Sequence, residues 1–239
     1  MFWIGALVLS NIAIRVRFIL HLTIHDRILS IITAQPSSQG VLMIRDWTLY
    51  RENVLRQAGQ GIIPIFGKFG EELEEITIDA IEVARQRKLT RVAFWINSFG
   101  GANHAYNAIK GAVLISGIIF TGTVFGYAHS NAFQLLQLCS HRQAVRTSSL
   151  KFHWGSYTHD NAEIAAILAG AAWPIERVKA VELEEAEFVS RRTGVSLSML
   201  QEFALYDRTF LATEALNMNF LDELLDDLPT VASITELVS

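Results

Sequence analysis

Ser130 stands in "FGYAHSNAFQLL", residues 125–136, between a histidine and an asparagine, where a strand-like run gives way to a helix-like one. A serine at the first turn of a helix is commonly a cap, its hydroxyl taking up an orphan N–H. The same position suits a nucleophile, because the helix dipole favours developing negative charge and nearby amides can bind an oxyanion. A serine hydroxyl is a poor nucleophile by itself. It needs a general base within hydrogen-bond reach, and the base needs a partner that orients it. Seven histidines compete for the base. His129 is adjacent, but neighbours along a strand or helix project in different directions. His21 and His25, four apart with Asp26 alongside, have ligand-like helical spacing, though two imidazoles and a carboxylate are a thin metal set. His153 lies near the end of "SLKFHW", a strand-like segment that begins shortly after the serine helix and can return to the same sheet edge. Spacing selects no orienting carboxylate among the 24 acidic residues.

A second junction, "INSFGGA" (96–102), ends a strand with Asn97 and Ser98 and then places Gly100 and Gly101 where the backbone can approach a ligand closely. Exposed N–H groups at the following helix start favour an anionic oxygen. The plain alternative is a glycine turn capped by Asn97 or Ser98.

These junctions need elements to hold them. "GIIPIFGKFG" (61–70) predicts a buried strand despite Pro64. "EELEEITIDAIEVARQRK" predicts an amphipathic helix with Leu73, Ile76, Ile78, Ile81 and Val83 as its apolar positions. Strand "RVAFWINS", helix "ANHAYNAIKGAVLIS", strand "IIFTGTVFG", helix "SNAFQLLQLC" and further strand in "AVRTSSLKFHW" follow. Alternating strands and helices indicate an α/β fold with a mainly parallel sheet and crossover helices. From "NAEIAAILAGAAW" through "ERVKAVELEEAEFVSRRTG" the chain turns helical, with Pro174 placed to open the second helix and Gly194 to stop it. The acidic "LDELLDDLP" is read as a solvated helix face.

Composition bounds the function. With 239 residues, 51% of them hydrophobic, the chain can bury a substantial core, and its formal charge of −4 signals no general attraction to nucleic acid. The single cysteine, Cys139, excludes an internal disulfide framework and a cysteine-rich zinc site, and is expected to be a buried thiol. Residues 1–40 are expected to form an apolar extension closed by the linker "TAQPSSQG", and residues 41–239 the main domain. Arg15 and Arg17 interrupt the apolar run, so a spanning helix of about twenty residues is not expected, and a cytoplasmic location is preferred over membrane attachment through residues 1–24.

Together the motifs resemble ClpP, the proteolytic subunit of the Clp protease and a serine peptidase with a crotonase-like α/β fold. "INSFGG" is similar to that family's "INSPGG", "GYAHSNA" to "GQAASMA", and "LKFHW" occupies the place of its "MIHQ" segment. "TGVSLSMLQEFALYDRTFLATEALNMNFLD" resembles its "TG-S-L", "DR-FL-A-EA" and closing "G-L-D" elements, so the likeness runs from about Trp47 to Asp222. The resemblance implies a βαβ superhelix with a protruding helical handle over roughly 162–194. It implies Ser130 as nucleophile, His153 as general base and Asp207 as the orienting carboxylate. It assigns the oxyanion hole to the backbone N–H groups of Gly101 and Asn131, and peptide binding to the strand segment with Phe99, Gly100 and Ala102. It further implies a homo-oligomer of stacked heptameric rings, an unfolded protein or peptide as substrate, an ATP-dependent unfoldase as partner, and no cofactor. No GxxxxGK[ST] phosphate loop is present, so ATP use would belong to the partner.

The chain departs from that pattern at Phe99, where the family has proline, at His129 and Asn131 beside the nucleophile, and at Asn219, where the family has glycine and which fits if φ is positive. Competing readings are a non-catalytic ring subunit, a crotonase-type acyl-CoA enzyme, and a membrane-bound relative with a Ser–Lys dyad, for which Lys110 and Lys151 are available.

Overall fold

A computed structural model describes residues 47–225 of the chain. The expected extension and linker of residues 1–40, the His21, His25 and Asp26 set, and the suggested membrane attachment through residues 1–24 lie outside the described residues.

The order is α1 (Trp47–Ala58), β1 (Ile62–Phe69), α2 (Glu71–Gln86), β2 (Arg91–Gly101), α3 (Asn103–Ile115), β3 (Ile119–His129), α4 (Asn131–Leu138), β4 (His141–Val145) and β5 (Ser149–Lys151). Then follow α5 (Asn161–Leu168), α6 (Trp173–Thr193), α7 (Leu197–Leu205), β6 (Thr209–Leu211), α8 (Ala212–Asn217) and β7 (Glu223–Leu225). The sheet runs β1-β2-β3-β4-β7 with every pair parallel; β5 pairs parallel with β3, and β6 antiparallel with β5. The fold is therefore α/β with a mixed, mostly parallel sheet. Pro64 is accommodated because β1 is an outer strand, where a missing N–H breaks no second ladder.

Local patterning accounts for most of these elements. In α2 the buried stripe is Leu73, Ile76, Thr77, Ala80, Ile81 and Ala84, a 3.6-residue repeat. Ile78 and Val83, expected in that stripe, are only half-buried, because the small Ala80 and Ala84 take the close-packed positions instead. Strand β2 alternates, with Val92, Phe94, Ile96 and Ser98 buried and Trp95 and Phe99 exposed. Pro174 opens α6, and Gly194, at φ 78°, closes it in the left-handed conformation as expected.

The acidic tail segment is a correction. Glu223–Leu225 of "LDELLDDLP" form strand β7 against β4, not a helix face. Asp222 accounts for the change: its carboxylate accepts from the backbone N–H of Arg142 at 2.8 Å and from that residue's guanidinium, and its own N–H donates to Arg142 O at 2.7 Å. That exchange sets the register before the strand begins.

Strand β3 changes neighbours along its length. Thr121–Val124 pair with β4, whereas Tyr127–His129 pair with β5. The buried Ser148 fastens the split, donating from Oγ to Val124 O at 3.0 Å. A sheet that divides in this way leaves room at its carboxyl end, where ligands gather in α/β folds.

An aromatic chain lies beneath that opening. Phe133 of α4 packs on Phe152 and edge-on against Phe220, Phe220 meets Phe210, and Phe210 meets Phe203, with centroid separations of 4.9 to 6.0 Å. Each buried ring contributes about 1.5–3 kcal/mol of transfer energy. The consequence is positional: Phe133 anchors the helix that follows Ser130, Phe152 the backbone leading into His153, and Phe210 the strand after Asp207.

Candidate functional site

Ser130 sits at φ 54°, ψ −127°, opening α4, and its side chain makes no capping bond. The capping reading of this hydroxyl is thereby overturned. Among the described residues three other non-glycine residues have positive φ, namely Lys88, Asp207 and Asn219. Each of those lies just beyond a helix C-terminus, with a six-to-one backbone bond closing the turn (Leu89 N to Ala84 O, Arg208 N to Phe203 O, Phe220 N to Ala215 O). Among the described residues Ser130 alone adopts such a conformation at a helix start. A residue held there costs on the order of 1–3 kcal/mol and persists only when its surroundings impose it. Here the constraint is the Ser130 N–H, which donates to Lys151 O at 3.0 Å and docks the turn on β5.

The glycine loop presses on the same turn. Gly100 has φ 86°, and a Cβ there would stand 2.6 Å from Ser130 Cβ and 2.7 Å from His129 O. A Cβ on Gly101, at φ 153°, would collide with the backbone of Phe69. Neither Asn97 nor Ser98 caps the following helix, whose N-cap is Ala102. Ser98 Oγ instead accepts from Gly100 N–H at 3.0 Å, and Asn97 Oδ1 accepts from Tyr127 N–H at 3.2 Å across the bulge between β2 and β3. On its β1 side the segment is already paired: Gly100 and Gly101 lie opposite Lys68 and Phe69, and Ala102 N–H donates to Phe69 O at 2.9 Å.

Asn131 joins the two junctions. Its Nδ2 donates to Gly101 O and to Asn103 Oδ1, both at 2.9 Å, while its backbone N–H, first in α4, has no partner within the helix. The side chain thus fixes the Gly101 peptide relative to the start of α4, a role that no sequence pattern announced.

His153 lies two residues past β5 and lines the same cavity as Ser130. Among the described residues the two side chains share no direct hydrogen bond. Burial holds the His153 imidazole below its ordinary pKa; Asp207 and Glu182 pull it upward, and Lys151 adds to the depression. Its Nδ1 is 3.6 Å from Asp207 Oδ1, close enough for electrostatic orientation and longer than a good hydrogen bond. The other Asp207 oxygen accepts from Lys151 Nζ at 2.7 Å. Lys151 is therefore engaged by the carboxylate, and Lys110 pairs with Glu185 at 3.2 Å, so neither ammonium is placed as a base for Ser130.

His129 meets Ser149 Oγ at 2.9 Å through Nε2 and stands edge-on to the rings of Phe99 and Tyr127. Burial, helped by Lys151 and His153, lowers its pKa to about 4, so it is a neutral member of the site's border. Phe99, 64% exposed, stacks on Tyr127 with centroids 4.2 Å apart, an aromatic ledge outside the glycine loop. Asn219 has φ 55°, the conformation in which asparagine can replace glycine.

The cavity, about 50 Å³, extends from Ser130 and His153 towards α6, where Glu182 and Glu185 face it three residues apart. That helical spacing was the available signal, hidden in the charged run "VELEEAE". No group of three His, Cys, Asp or Glu residues among those described is gathered as a metal site, and no described helix is long and apolar enough to cross a membrane. Cys139 is buried, its thiol pushed up to about 12 by desolvation. Compared with known proteins, the chain matches no family model and no curated protein.

Proposed function

We propose that the chain is a serine peptidase subunit in which Ser130 attacks a peptide carbonyl, His153 accepts the hydroxyl proton and returns it to the leaving amine, and Asp207 orients the imidazole. The observation that carries this reading is the Ser130 turn. A hydroxyl held in a strained helix-opening conformation, unused as a cap and sharing a cavity with a half-buried histidine, is arranged for reaction. The N–H groups of Gly101 and Asn131 serve as oxyanion donors, each worth about 2.7–4 kcal/mol in the transition state. Water then hydrolyses the acyl-enzyme. Because the Phe99–Ala102 segment pairs with β1 along one edge, a peptide strand adding to it takes the other. The finer architecture proposed is the ClpP-like superhelix, with α5 and α6 as the handle, an oligomeric chamber and an unfoldase that supplies extended chains.

The 3.6 Å gap between His153 and Asp207 also suits a second reading, a ring subunit that lends walls and no catalysis. Hydrolysis of an internally quenched unstructured peptide separates the two. Turnover by the parent that falls on the order of 10⁴-fold or more in both Ser130→Ala and His153→Ala fits the peptidase. Equal residual turnover in all three proteins rejects it.

A further inference from the structure

Three residues that line the cavity beside Ser130 each carry a buried polar atom left unpaired by the described residues. Tyr106 Oη, Gln134 Oε1 and Glu185 Oε2 are enclosed and have no hydrogen-bond partner among the described residues. Tyr106 is 2% exposed and Gln134 7%. Leaving such an atom unpaired costs about 1–3 kcal/mol, so three around one cavity point to a ligand group that completes them.

Their chemistry limits that group. Gln134 Oε1 and Glu185 Oε2 can only accept, and the tyrosine hydroxyl can accept as well. Glu185 Oε1 is already held by Lys110 Nζ at 3.2 Å, and Glu182 Oε1 accepts from Gly155 N–H at 2.7 Å. Two carboxylates thus face one ammonium, leaving the cavity an excess of negative charge. An apolar side chain would leave all three atoms unpaired, and an acidic one would meet that negative excess. An alkylammonium carries three donors and no acceptor, enough for the two acceptor-only oxygens and a lone pair of the tyrosine hydroxyl. Its slim stem suits a space of about 50 Å³ lined in part by Phe152 and Val181 better than a flat guanidinium does.

We propose that this cavity is the specificity pocket for the residue whose carbonyl Ser130 attacks, and that it selects lysine. This rests on Ser130 being the nucleophile. The test uses the full chain with peptidyl aminocoumarins that differ only in the final residue: lysine, norleucine, glutamine, arginine or glutamate. Labelling of the same preparation by a fluorophosphonate is read in parallel.

Lysine is expected to exceed norleucine in kcat/KM by about 10- to 100-fold. Glu185→Gln and Gln134→Leu are each expected to bring that ratio below about threefold, chiefly by raising KM for the lysine substrate. Circular dichroism and the denaturation midpoint of each variant report whether it has folded. An adduct on Ser130 with no lysine preference in the parent overturns the pocket and leaves the nucleophile standing. A full preference retained in both folded variants also overturns it. No adduct and no turnover overturns both claims.

Discussion

At the scale of single residues, the site is a set of small constraints converging on one hydroxyl. The turn at Ser130 separates two variants that lack the hydroxyl equally. Glycine relieves the positive φ and alanine does not, so Ser130→Gly is expected to be the more stable by roughly 1 kcal/mol, read from denaturation midpoints. Equal stability would mean that the turn stores no strain. Ser130 and His153 could be singled out in the sequence because a strand-to-helix junction and a returning strand are local features. Asp207 could not be reached by spacing, since its position depends on the turn after α7 and on β6 folding back along β5. The Asn131 tie to Gly101 and the Lys151 engagement of Asp207 join residues 30 and 56 positions apart, distances over which periodicity carries no information.

At the scale of elements, helices and strands follow their hydrophobic periods closely, while the irregularities that make the site do not. Strands β1, β2 and β3 and helices α2, α3 and α4 appear where the apolar patterns place them, because each buries one continuous stripe or alternating face. Strand β7 was misread because three exposed or half-buried residues in an acidic run have no period of their own and take their conformation from the Asp222–Arg142 exchange. The division of β3 between β4 and β5 is likewise a property of the sheet. Packing between the glycine loop and the Ser130 turn gives the element-scale prediction. Gly100→Ala drives a Cβ against Ser130 and His129 at positive φ, and is expected to destabilise the fold by about 2–3 kcal/mol and to abolish labelling of Ser130. A variant as stable and as reactive as the parent would show that the two turns do not touch.

At the scale of the whole molecule, segments from β2, β3, β5 and the loop before β6 meet at one end of the sheet, while Arg142 and Asp222 lock the far edge. Arg142 is 2% exposed, and its guanidinium also donates to Gln137 Oε1 at 2.6 Å. Its hydrogen bonds hold the Asp222 carboxyl below its ordinary 3.8. The unfolded chain therefore binds more protons between the lowered value and 3.8, so this contribution is complete above about pH 4 and is lost as pH falls through the lowered value. Asp222→Asn is expected to cost about 2 kcal/mol at pH 7 and to flatten the acid end of the stability profile; an unchanged profile would remove the pair from the account.

The central claim, that this assembly activates Ser130, is tested most directly by the rate of fluorophosphonate labelling between pH 4 and 8, read by intact mass on the parent and on Ser130→Ala. An imidazole accepts a proton only when neutral, and burial holds the pKa of His153 below the ordinary 6.5. The account predicts one adduct on the parent, none on the variant, and a rate that falls only at pH below about 6.5. Equal labelling of the two proteins, no labelling of the folded parent, or an acid limb centred above that pH would contradict it.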